Sequence, residues 1–527
     1  MLSKPKVDFV THEQLDEILS ARFSQELRKL SDIPSPSLLK DSQKAVERIA
    51  RAIKSGEKIV LIGDYDVDGV TSSAITKSFF NEINAPLEVI IPNRFSDGYG
   101  VSAKILERVK ADLIITVDNG ITAVEAAQIC KDRGVDLIIT DHHTPPEILP
   151  EAYAIVNPKL HDCPYPFKEI CGAQVAWLLM AQLKKELNIN VNMSAYLELL
   201  ALAIVADVMP LIGINRALVK KGLEMISASK TPAFIIIREF LEKKVLSSED
   251  IGFQIAPRLN SAGRLEDASI ALNFLLSKSE KEAYEYFEIL DSLNRQRKAI
   301  ESDVTQEASL KVDKSSKVIV AFGDEWNEGV VGIVASRLVG SFGVPAIVLS
   351  VKNGIAKGSA RSIGDVDIYE LISTQMNLLE KFGGHKMAAG LSLKVENLEQ
   401  FINNITKEAL KIDKDKFIPK DSVLAKLKGS DINFDLINLM QKYEPYGEAN
   451  PRPKFLLEDA TVEKISLFGN SEHSKIDLHV DGYQHQLVLF REALSLETKS
   501  MSCSYGVGKN VWNGKVSLQL IIERVYE

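Results

Sequence analysis

The sequence predicts an α/β protein whose first domain is built on a parallel sheet. Between residues 58 and 160, short continuous runs of Val, Ile and Leu alternate with helical stretches. Such runs are typical of strands buried on both faces, because crossover helices cover both sides of a parallel sheet. A second α/β block begins near residue 316, and from about residue 455 the pattern changes to a two-residue alternation with turn residues between the runs. That alternation predicts a small β-barrel.

The chain of 527 residues is too long for one ordinary hydrophobic core, so several domains are expected. A long, charged amphipathic stretch separates the two α/β blocks, and a segment rich in Pro and Gly, EPYGEANPRPKF, precedes the alternating region. We therefore predict four regions, which are a first α/β domain with an N-terminal extension, a connector helix, a second α/β domain and a β domain. Their predicted bounds are 1–280, 281–315, 316–443 and 444–527.

Composition excludes several classes of protein. No apolar run reaches the roughly 20 residues of a membrane span, so no membrane association is expected. The four cysteines form no CxxC pair, which argues against a zinc or disulfide framework and favours a reducing cytoplasm. The net charge of −9 disfavours a protein that coats duplex DNA through bulk positive charge. It leaves open a nucleic-acid substrate that is held by metal ions and a local basic groove.

Three aspartates, Asp64, Asp66 and Asp68, follow the first predicted strand at alternate positions. Carboxylates this close repel each other by about 3 kcal/mol at an effective dielectric near 20. The DxDxDG spacing resembles the start of an EF-hand loop. That loop requires Glu at its twelfth position, where this chain has Ile75, and a helix rather than a strand before it. The EF-hand interpretation therefore fails.

Further acidic and imidazole groups follow other predicted strands. Asp118 lies in TVDNG, and Asp141, His142 and His143 lie in TDHH. Because the carboxyl ends of parallel strands meet at one edge of a sheet, we expect all these groups to converge on one crevice. Carboxylate and imidazole ligands suit Mn²⁺ or Mg²⁺, and two such ions would offset the repulsion. The alternative is that each Asp only caps a helix, which explains a single residue better than the whole set.

A second group of residues is suited to binding phosphate. Arg94 follows a strand on the same predicted edge, and Arg258 and Arg264 flank LNSAG, which we expect to form a small-residue loop. In the second block, GSARS and FGGH offer hydroxyl, guanidinium, imidazole and backbone amide donors. For any one arginine, a surface ion pair is the alternative. The predicted phosphate or DNA contacts are Arg94, Arg258, Asn260, Arg264, Ser359, Arg361, Gly384 and His385.

The ordered motifs DYDVDG, VDNG and DHH resemble those of the DHH phosphoesterase superfamily. Six further segments are similar to those of bacterial RecJ-type single-strand-specific exonucleases and extend the resemblance over nearly the whole chain. They are NRFSDGYG, ADVMPL, PRLNSAGRL, GSARS, GGHKMAAG and EPYGEANPRP. The resemblance implies a DHH catalytic domain, a DHH-associated substrate-binding domain and an oligonucleotide-binding type of barrel.

The resemblance also implies roles for individual residues around two Mn²⁺ or Mg²⁺ ions. Asp66 and Asp68 would each bind one ion, Asp118 would bridge both, and His143 would lie beside the scissile phosphate. The remaining implied ligands are Asp64 for the first ion, His142 for the second ion, and Asp207 as the last ligand. A plain structural role for Asp207 stays open. Asp141 is expected to orient an imidazole, with a turn cap as the alternative.

The activity implied by the resemblance is stepwise 5′→3′ hydrolysis of single-stranded DNA to mononucleotides, in DNA recombination and in repair, including mismatch repair. The implied partners are a single strand with a 5′ end, a single-strand-binding protein and a helicase, in the cytoplasm. Two alternatives stay open, namely a DHH phosphoesterase for short oligonucleotides, cyclic dinucleotides or pyrophosphate, and a scaffold without activity. In the barrel, Phe468, Phe490, Tyr505 and Trp512 could stack on bases or belong to the core.

Overall fold

A computed structural model describes residues 4–23, 27, 29–419, 422–512 and 515–526 of the chain. It contains a parallel five-stranded sheet, a mixed five-stranded sheet and a closed β-barrel, in that order along the chain. A helical region and one long helix lie between the two sheets. The predicted fold class is therefore confirmed.

The first sheet is parallel and has the order β2-β1-β3-β4-β5. Its strands are β1 (Ile59–Ile62), β2 (Glu88–Ile90), β3 (Leu113–Val117), β4 (Asp136–Thr140) and β5 (Ala154–Val156). The strand order reverses direction between β1 and β3. In open α/β sheets, ligands bind beyond the carboxyl ends of the strands at such a switch point. The topology therefore places the end of β1 and the end of β3 at a natural binding crevice.

Helices cover both faces of this sheet, and one helix at the N-terminus lies elsewhere. They are α1 (His12–Ala21), α2 (Ser42–Ser55), α3 (Val67–Glu82), α4 (Ala103–Arg108), α5 (Val124–Asp132) and α6 (Gly172–Glu186). Helix α3 is buried along most of its length, with Phe79 and Phe80 fully inaccessible to solvent. Because α3 begins directly after the aspartate-rich loop, its burial fixes that loop against the sheet.

A helical region follows the first sheet. Its helices are α7 (Leu197–Ala206), α8 (Gly213–Ala228), α9 (Pro232–Leu241), α10 (Ser248–Asp250), α11 (Ala256–Leu265) and α12 (Ser269–Leu275). A π-helical turn, Ile251–Ile255, joins α10 to α11. The expected loop around LNSAG is wrong, because these residues lie in the middle of α11. Small residues there let the helix pack closely, since a Cβ added at Gly263 would lie 2.3 Å from the carbonyl oxygen of Tyr65.

The long helix α13 (Glu280–Leu310) contacts both α/β units. Its carboxylate Glu301 is buried and forms an ion pair with Arg297 at 2.6 Å, and it also forms an ion pair with Arg337 of the second unit. Removing one partner of a buried ion pair strongly destabilises a protein, because the remaining charge is left uncompensated. The ion-pair network therefore attaches the second unit to the connector in a defined orientation.

The second sheet has the order β6-β7-β8-β10-β9, with β6 and β7 parallel and the other neighbours antiparallel. The strands are β6 (Ile319–Asp324), β7 (Ala346–Lys352), β8 (Ile355–Arg361), β9 (Leu379–His385) and β10 (Ala388–Lys394). The helices of this unit are α14 (Val331–Phe342), α15 (Ile368–Ser373) and α16 (Leu398–Leu410). Helices α15 and α16 pack on one face of the sheet, and α14 packs on the other face at β7 and β8.

The C-terminal unit is a five-stranded barrel that closes by pairing β12 with β15. Its elements are β11 (Val423–Lys426), α17 (Phe434–Gln441), β12 (Lys454–Phe468), β13 (His473–Val480), β14 (Tyr483–Leu489), β15 (Ser500–Trp512) and β16 (Lys515–Tyr526). Tyr505 is buried in the barrel core, whereas Phe468 and Phe490 are 40% and 45% exposed. The side chain of Trp512 lies outside the described part of the structure.

The N-terminal segment packs against the barrel, although the predicted region 1–280 groups it with the first sheet. The backbone amide of Val10 donates to the carbonyl of Lys426 at 3.0 Å, and the backbone amide of Lys426 donates to the carbonyl of Asp8 at 2.8 Å. Leu15 and Leu19 of α1 are fully buried in the barrel core. The alternating pattern of the barrel sequence gives no sign of this partner, because the contact spans more than 400 residues.

The described helices and the four cysteines bear on the protein classes that composition addresses. Within the described ranges, none of the helices combines the length and the apolar character that crossing a bilayer requires. All four cysteines are free and buried.

We predict that Leu19→Ala destabilises the barrel unit by about 2–5 kcal/mol, because it leaves a cavity in a closed core. The measurement is the barrel transition in differential scanning calorimetry. Ile18→Ala on the same helix is the control, since Ile18 is 38% exposed and its truncation is expected to change stability by less than about 1 kcal/mol. Equal melting temperatures for the two variants would contradict this packing.

Candidate metal centre and phosphate cavity

The aspartate-rich segment runs from the end of β1 into the first turn of α3, where Asp68 lies, and it carries three carboxylates. Asp64 and Asp68 are 3% and 1% exposed. Asp66 is the N-cap of α3, and its carboxylate accepts a hydrogen bond from the Gly69 amide at 3.0 Å. The helix-capping alternative is therefore correct for Asp66, yet capping uses only one of its oxygens. Asp68 accepts hydrogen bonds from amides at the start of another helix, α6, whereas a buried oxygen of Asp64 has no hydrogen-bond partner.

Two glycines allow the backbone to approach these carboxylates. A Cβ at Gly69 would lie 2.5 Å from the Cβ of Asp64, and a Cβ at Gly172 would lie 2.6 Å from the Cβ of Asp118. Gly172 is the first residue of α6. Any larger residue at either position would push the carboxylates apart, so glycine is required here by close approach.

The start of α6 supplies hydrogen bonds to Asp68. Its carboxylate accepts from the Gly172 amide at 2.6 Å and from the Ala173 amide at 2.8 Å. Free amide groups and the partial positive charge at a helix N-terminus both favour an anion. The starts of α3 and α6 therefore offset part of the carboxylate repulsion at this site.

Asp118 and Asp207 come from other segments and are associated with unusual backbone geometry. Asp118 follows β3 with φ +62°, and Val208, next to Asp207 at the end of α7, has φ +55°. A β-branched residue in the left-handed region is a true outlier, and such strain is typically found at functional sites. These conformations direct both carboxylates to the crevice between β1 and β3.

His142 lies at the centre of the cluster and is 5% exposed. Its Nε2 is 3.2 Å from an Asp118 oxygen, 3.6 Å from Asp207 and 3.7 Å from Asp68. Neither ring nitrogen makes a hydrogen bond of acceptable geometry. Burial lowers the pKa of His142, so the ring is an available neutral ligand rather than a counter-ion.

His143 and Asp141 form a separate pair at the rim. The Nδ1 of His143 is 2.7 Å from an Asp141 oxygen, and the backbone amides of His142 and Ile121 donate to the same carboxylate. Burial would lower the pKa of His143, but the Asp141 hydrogen bond and the charges of nearby carboxylates together outweigh burial and raise that pKa to about 9. The same pairing lowers the pKa of Asp141 against the opposing effect of its burial. Asp141 thus orients the ring and leaves Nε2 free.

The four clustered carboxylates have raised pKa values, in contrast to the lowered pKa of Asp141. Burial raises the pKa values of Asp64, Asp68 and Asp118, and neighbouring carboxylates raise them further. For Asp207, burial and then the charges of Asp68 and Asp66 raise the pKa to about 9. No Lys or Arg forms an ion pair with these carboxylates in the described residues. The cluster therefore lacks the positive charge that would keep it ionised at neutral pH.

The donor atoms fit divalent cations. Three sets of side chains each place their ligand atoms within 4.8 Å of one another, and these are Asp64, Asp66 and Asp118; Asp68, His142 and Asp207; and Asp118, His142 and His143. Buried oxygens of Asp64, Asp118 and Asp207 have no hydrogen-bond partner. Hard oxygen ligands with one imidazole suit Mn²⁺ or Mg²⁺. Asp118 belongs to two of the sets, as a carboxylate shared by two ions would.

Beside this cluster, three arginines line a cavity of about 330 Å³ together with Ser359. Arg94 lies over the Tyr65 ring at 4.2 Å, Arg264 donates to the Gly329 carbonyl, and Arg361 donates to the Ser359 hydroxyl at 2.7 Å. Within the described ranges, none of the three forms an ion pair. Burial, then Arg94, lowers the pKa of Arg264 to about 10, and burial also lowers the pKa of Arg361. The carboxylate that lines the cavity, Glu328, forms an ion pair with Lys357, so the partly buried guanidinium groups remain suited to an anion.

Two predicted phosphate contacts do not reach this cavity. Arg258 forms an ion pair with Asp291 at 2.9 Å and lies over the Phe240 ring, so it is ion-paired as the alternative supposes, but the pair is buried rather than on the surface. Asn260 accepts a hydrogen bond from the Val67 amide and thereby supports the start of α3. Both residues lie on α11, whose helical form directs their side chains away from the cavity that Arg264 enters.

The two predicted contacts from FGGH lie on β9. Gly384 lines a separate cavity of about 930 Å³ next to His143. Gly384 has φ +149°, and an added Cβ would lie 2.4 Å from the Ala388 carbonyl oxygen, so the turn after β9 itself requires glycine. His385 is exposed and lines neither cavity.

Sequence reasoning missed two aromatic residues of the site. Tyr99 lines both cavities, its hydroxyl donates to the Asp118 carbonyl at 3.4 Å, and its ring lies edge-on to His143. Tyr65 lies between two of the aspartates and supports Arg94. Their positions within the sequence motifs could have identified them, since Tyr65 lies inside DYDVDG and Tyr99 lies inside SDGYG.

Comparison with known proteins identifies the family of the chain. Residues 58–204 match the N-terminal domain of the DHH family, residues 315–411 match the DHHA1 domain, and residues 425–524 match the RecJ OB domain. A Haemophilus influenzae protein, the single-stranded-DNA-specific exonuclease RecJ, is 33% identical over 98% of this chain and 96% of its own length.

The chain belongs to the RecJ family. Its Bacillus subtilis relative is 37% identical over 94% of this chain, and the chain spans 64% of the length of that relative. The Thermus thermophilus RecJ crystal structure in complex with Mn²⁺ aligns with a TM-score of 0.80 at 29% identity, covering 93% of this chain and 72% of that one. The RecJ fold is therefore shared across all three units.

We predict that Asp207→Asn raises the melting temperature of the metal-free protein at pH 8. A carboxyl group whose folded-state pKa is raised to about 9 is penalised when it ionises, so the wild type loses stability as pH rises from about 4 toward 9, and Asn does not titrate. Thermal unfolding in the presence of a chelator checks this prediction. The melting temperature is expected to rise by about 2–4 °C for each kcal/mol of relieved repulsion.

The control for this experiment is Asp162→Asn, which removes an exposed carboxylate paired with Lys40. It is expected to leave the pH dependence unchanged. Added Mn²⁺ is expected to stabilise the wild type more than Asp207→Asn. If Asp207→Asn and wild type melt together at pH 5 and pH 8 alike, Asp207 is not part of a repulsive cluster.

Proposed function

We propose that the protein is a metal-dependent exonuclease that hydrolyses single-stranded DNA from the 5′ end to mononucleotides, in DNA recombination and repair. The observation that carries the proposal is that a carboxylate–imidazole cluster containing Asp118 lies next to a cavity lined by three arginines, none of which forms an ion pair among the described residues. A cleft that accepts a terminal phosphate next to a cation centre is suited to removing one nucleotide at a time. The names of the RecJ relatives support the choice of substrate.

We assign one Mn²⁺ or Mg²⁺ ion to Asp64, Asp66 and Asp118. The second ion is assigned to Asp68, Asp118, His142 and Asp207. When bound, the two cations supply an activated water and stabilise charge on the reacting phosphate. The protein fixes the ligand geometry through the starts of α3 and α6 and through the backbone at Asp118.

His143 is assigned to the leaving group. Its Nδ1 is held by Asp141, and its raised pKa keeps the imidazole protonated at neutral pH. As the oxygen of water bonds to phosphorus and the bond from phosphorus to the 3′ oxygen breaks, Nε2 of His143 can give its proton to that oxygen. Asp141 keeps the ring in the required orientation and tautomer.

The arginine cavity is assigned to the terminal 5′ phosphate. Arg94 and Arg264 come from the first α/β region and its helices, while Ser359 and Arg361 come from β8 of the second unit. A phosphate between them would receive donors from both sides of the cleft, and guanidinium groups suit phosphate geometry. Because the cavity is closed by residues of two units, it accepts a chain end more readily than an internal segment.

The two alternatives fit less well. A scaffold without activity has no need for unsatisfied, buried carboxylates, and this chain retains every implied ligand. A phosphoesterase for very short substrates has no use for the barrel. We further propose, on the family resemblance alone, that the protein works in the cytoplasm with a single-strand-binding protein and a helicase.

The test uses a 5′-phosphorylated single strand labelled at its 3′ end, with a blunt duplex of the same sequence for comparison. With Mn²⁺ the single strand is expected to shorten stepwise to mononucleotides while the duplex resists. Asp118→Ala is expected to lower the rate by ~10³-fold or more, since a bridging ligand contributes several kcal/mol of charge stabilisation through its ions. Asp132→Asn, at the end of α5, is the control.

Cleavage of the duplex at an equal rate, or shortening from the 3′ end, would contradict the proposed substrate and polarity. Activity that persists in Asp118→Ala would contradict the proposed metal centre.

A further inference from the structure

One face of the second sheet is open toward the metal centre. Helix α14 packs on this face at β7 and β8, and α15 and α16 pack on the opposite face, so in the described part of the unit no helix packs closely on the β10 and β9 side of this face. Across the gap lie Tyr99, Thr122 and His143 of the first unit, and together they enclose a cavity of about 930 Å³. The open face therefore borders a cavity that reaches His143 and Tyr99 beside the metal centre.

The register of β8, β10 and β9 sets out this face in three rows. Directly opposed residues on antiparallel strands share a face, so the pairings define each row. The rows are Arg361–Ala388–His385, Ser359–Gly390–Gly383 and Lys357–Ser392–Lys381. Successive rows are ~6.7 Å apart, because two residues of a strand separate them.

The central row carries almost no side chains, and the fold does not require this. A Cβ at Gly383 would have nothing within 4 Å, and one at Gly390 would meet only the Gly358 carbonyl at 3.9 Å. Neither glycine has a positive φ. Glycine inside a strand weakens the sheet, and it often marks a place where another backbone approaches closely. Clearance for a ligand explains both residues.

The row nearest the cavity is cationic. Lys357 and Lys381 both line the cavity, on either side of the buried Ser392. Lys357 forms an ion pair with Glu328 at 2.6 Å, whereas Lys381 is exposed and has no ion pair among the residues that the structure describes. An ammonium group without a counter-ion beside an open, side-chain-free strip is complementary to a phosphodiester backbone.

We propose that this strip is the track of the departing strand, with Lys381 binding a backbone phosphate on the 3′ side of the scissile bond and Gly390 providing clearance. The inference rests on the proposed function and adds two residues that decide how long a substrate the protein prefers. Lys357 also lines the arginine cavity, so the track is continuous with the site of the terminal phosphate.

The test compares two 5′-phosphorylated substrates in Mn²⁺, a single strand of twenty nucleotides and a dinucleotide, which has no phosphate beyond the scissile one. For Lys381→Ala, the ratio of kcat/KM between long and short substrates is expected to fall about tenfold, mainly through KM, as for one lost charge-assisted hydrogen bond. The slope of log kcat/KM against log salt for the long strand is expected to lessen by about 0.7.

Lys411→Ala is the matched control, because Lys411 follows α16 on the opposite side of the sheet and pairs with Glu408. It is expected to keep the wild-type ratio. Gly390→Val tests the clearance separately. Its melting temperature is expected to be at or above that of wild type, and its ratio of kcat/KM between long and short substrates is expected to fall as for Lys381→Ala.

The outcomes separate the two proposals. A wild-type ratio in both Lys381→Ala and Gly390→Val, with normal nuclease activity, would overturn the track and leave the proposed function intact. A wild-type protein that degrades neither substrate in Mn²⁺ would overturn the proposed function itself.

Discussion

The repulsion among buried carboxylates at the ends of β1 and β3 is the constraint on which the rest of the site depends. Asp64, Asp68 and Asp118 are almost inaccessible to solvent, and no cationic side chain of the described residues pairs with them. The fold offsets part of this repulsion with amides at the starts of α3 and α6. The remaining part calls for divalent cations, so the same feature that strains the metal-free protein provides its chemistry.

The second unit completes the site rather than merely covering it. The ion pairs of Glu301 attach it to the connector helix, and Ser359 and Arg361 of β8 close the arginine cavity opposite Arg94. The same sheet then presents its open face to the larger cavity beside His143. In the proposed function, one sheet would contact both the chain end and the strand behind it, which would give a simple physical basis for removing nucleotides in register.

Much of this arrangement is readable from sequence because it depends on local pattern. Buried Val/Ile/Leu runs identify the parallel sheet, and parallel strands bring their following residues together, so Asp64, Asp118 and His142 could be expected to meet. Arg258 could not be assigned this way, because its direction depends on LNSAG being helical, and small residues suit a close-packed helix as well as a loop. The packing of α1 on the barrel and the open row at Gly390 depend on contacts between distant segments and on register, which composition does not encode.

The most direct measurement is the anomalous difference map of a crystal grown with Mn²⁺. Two peaks about 3.5–4 Å apart are expected, both within reach of Asp118, with one beside Asp64 and Asp66 and the other beside His142 and Asp207. A map without density among these side chains, or with manganese bound only elsewhere, would contradict the proposed metal centre.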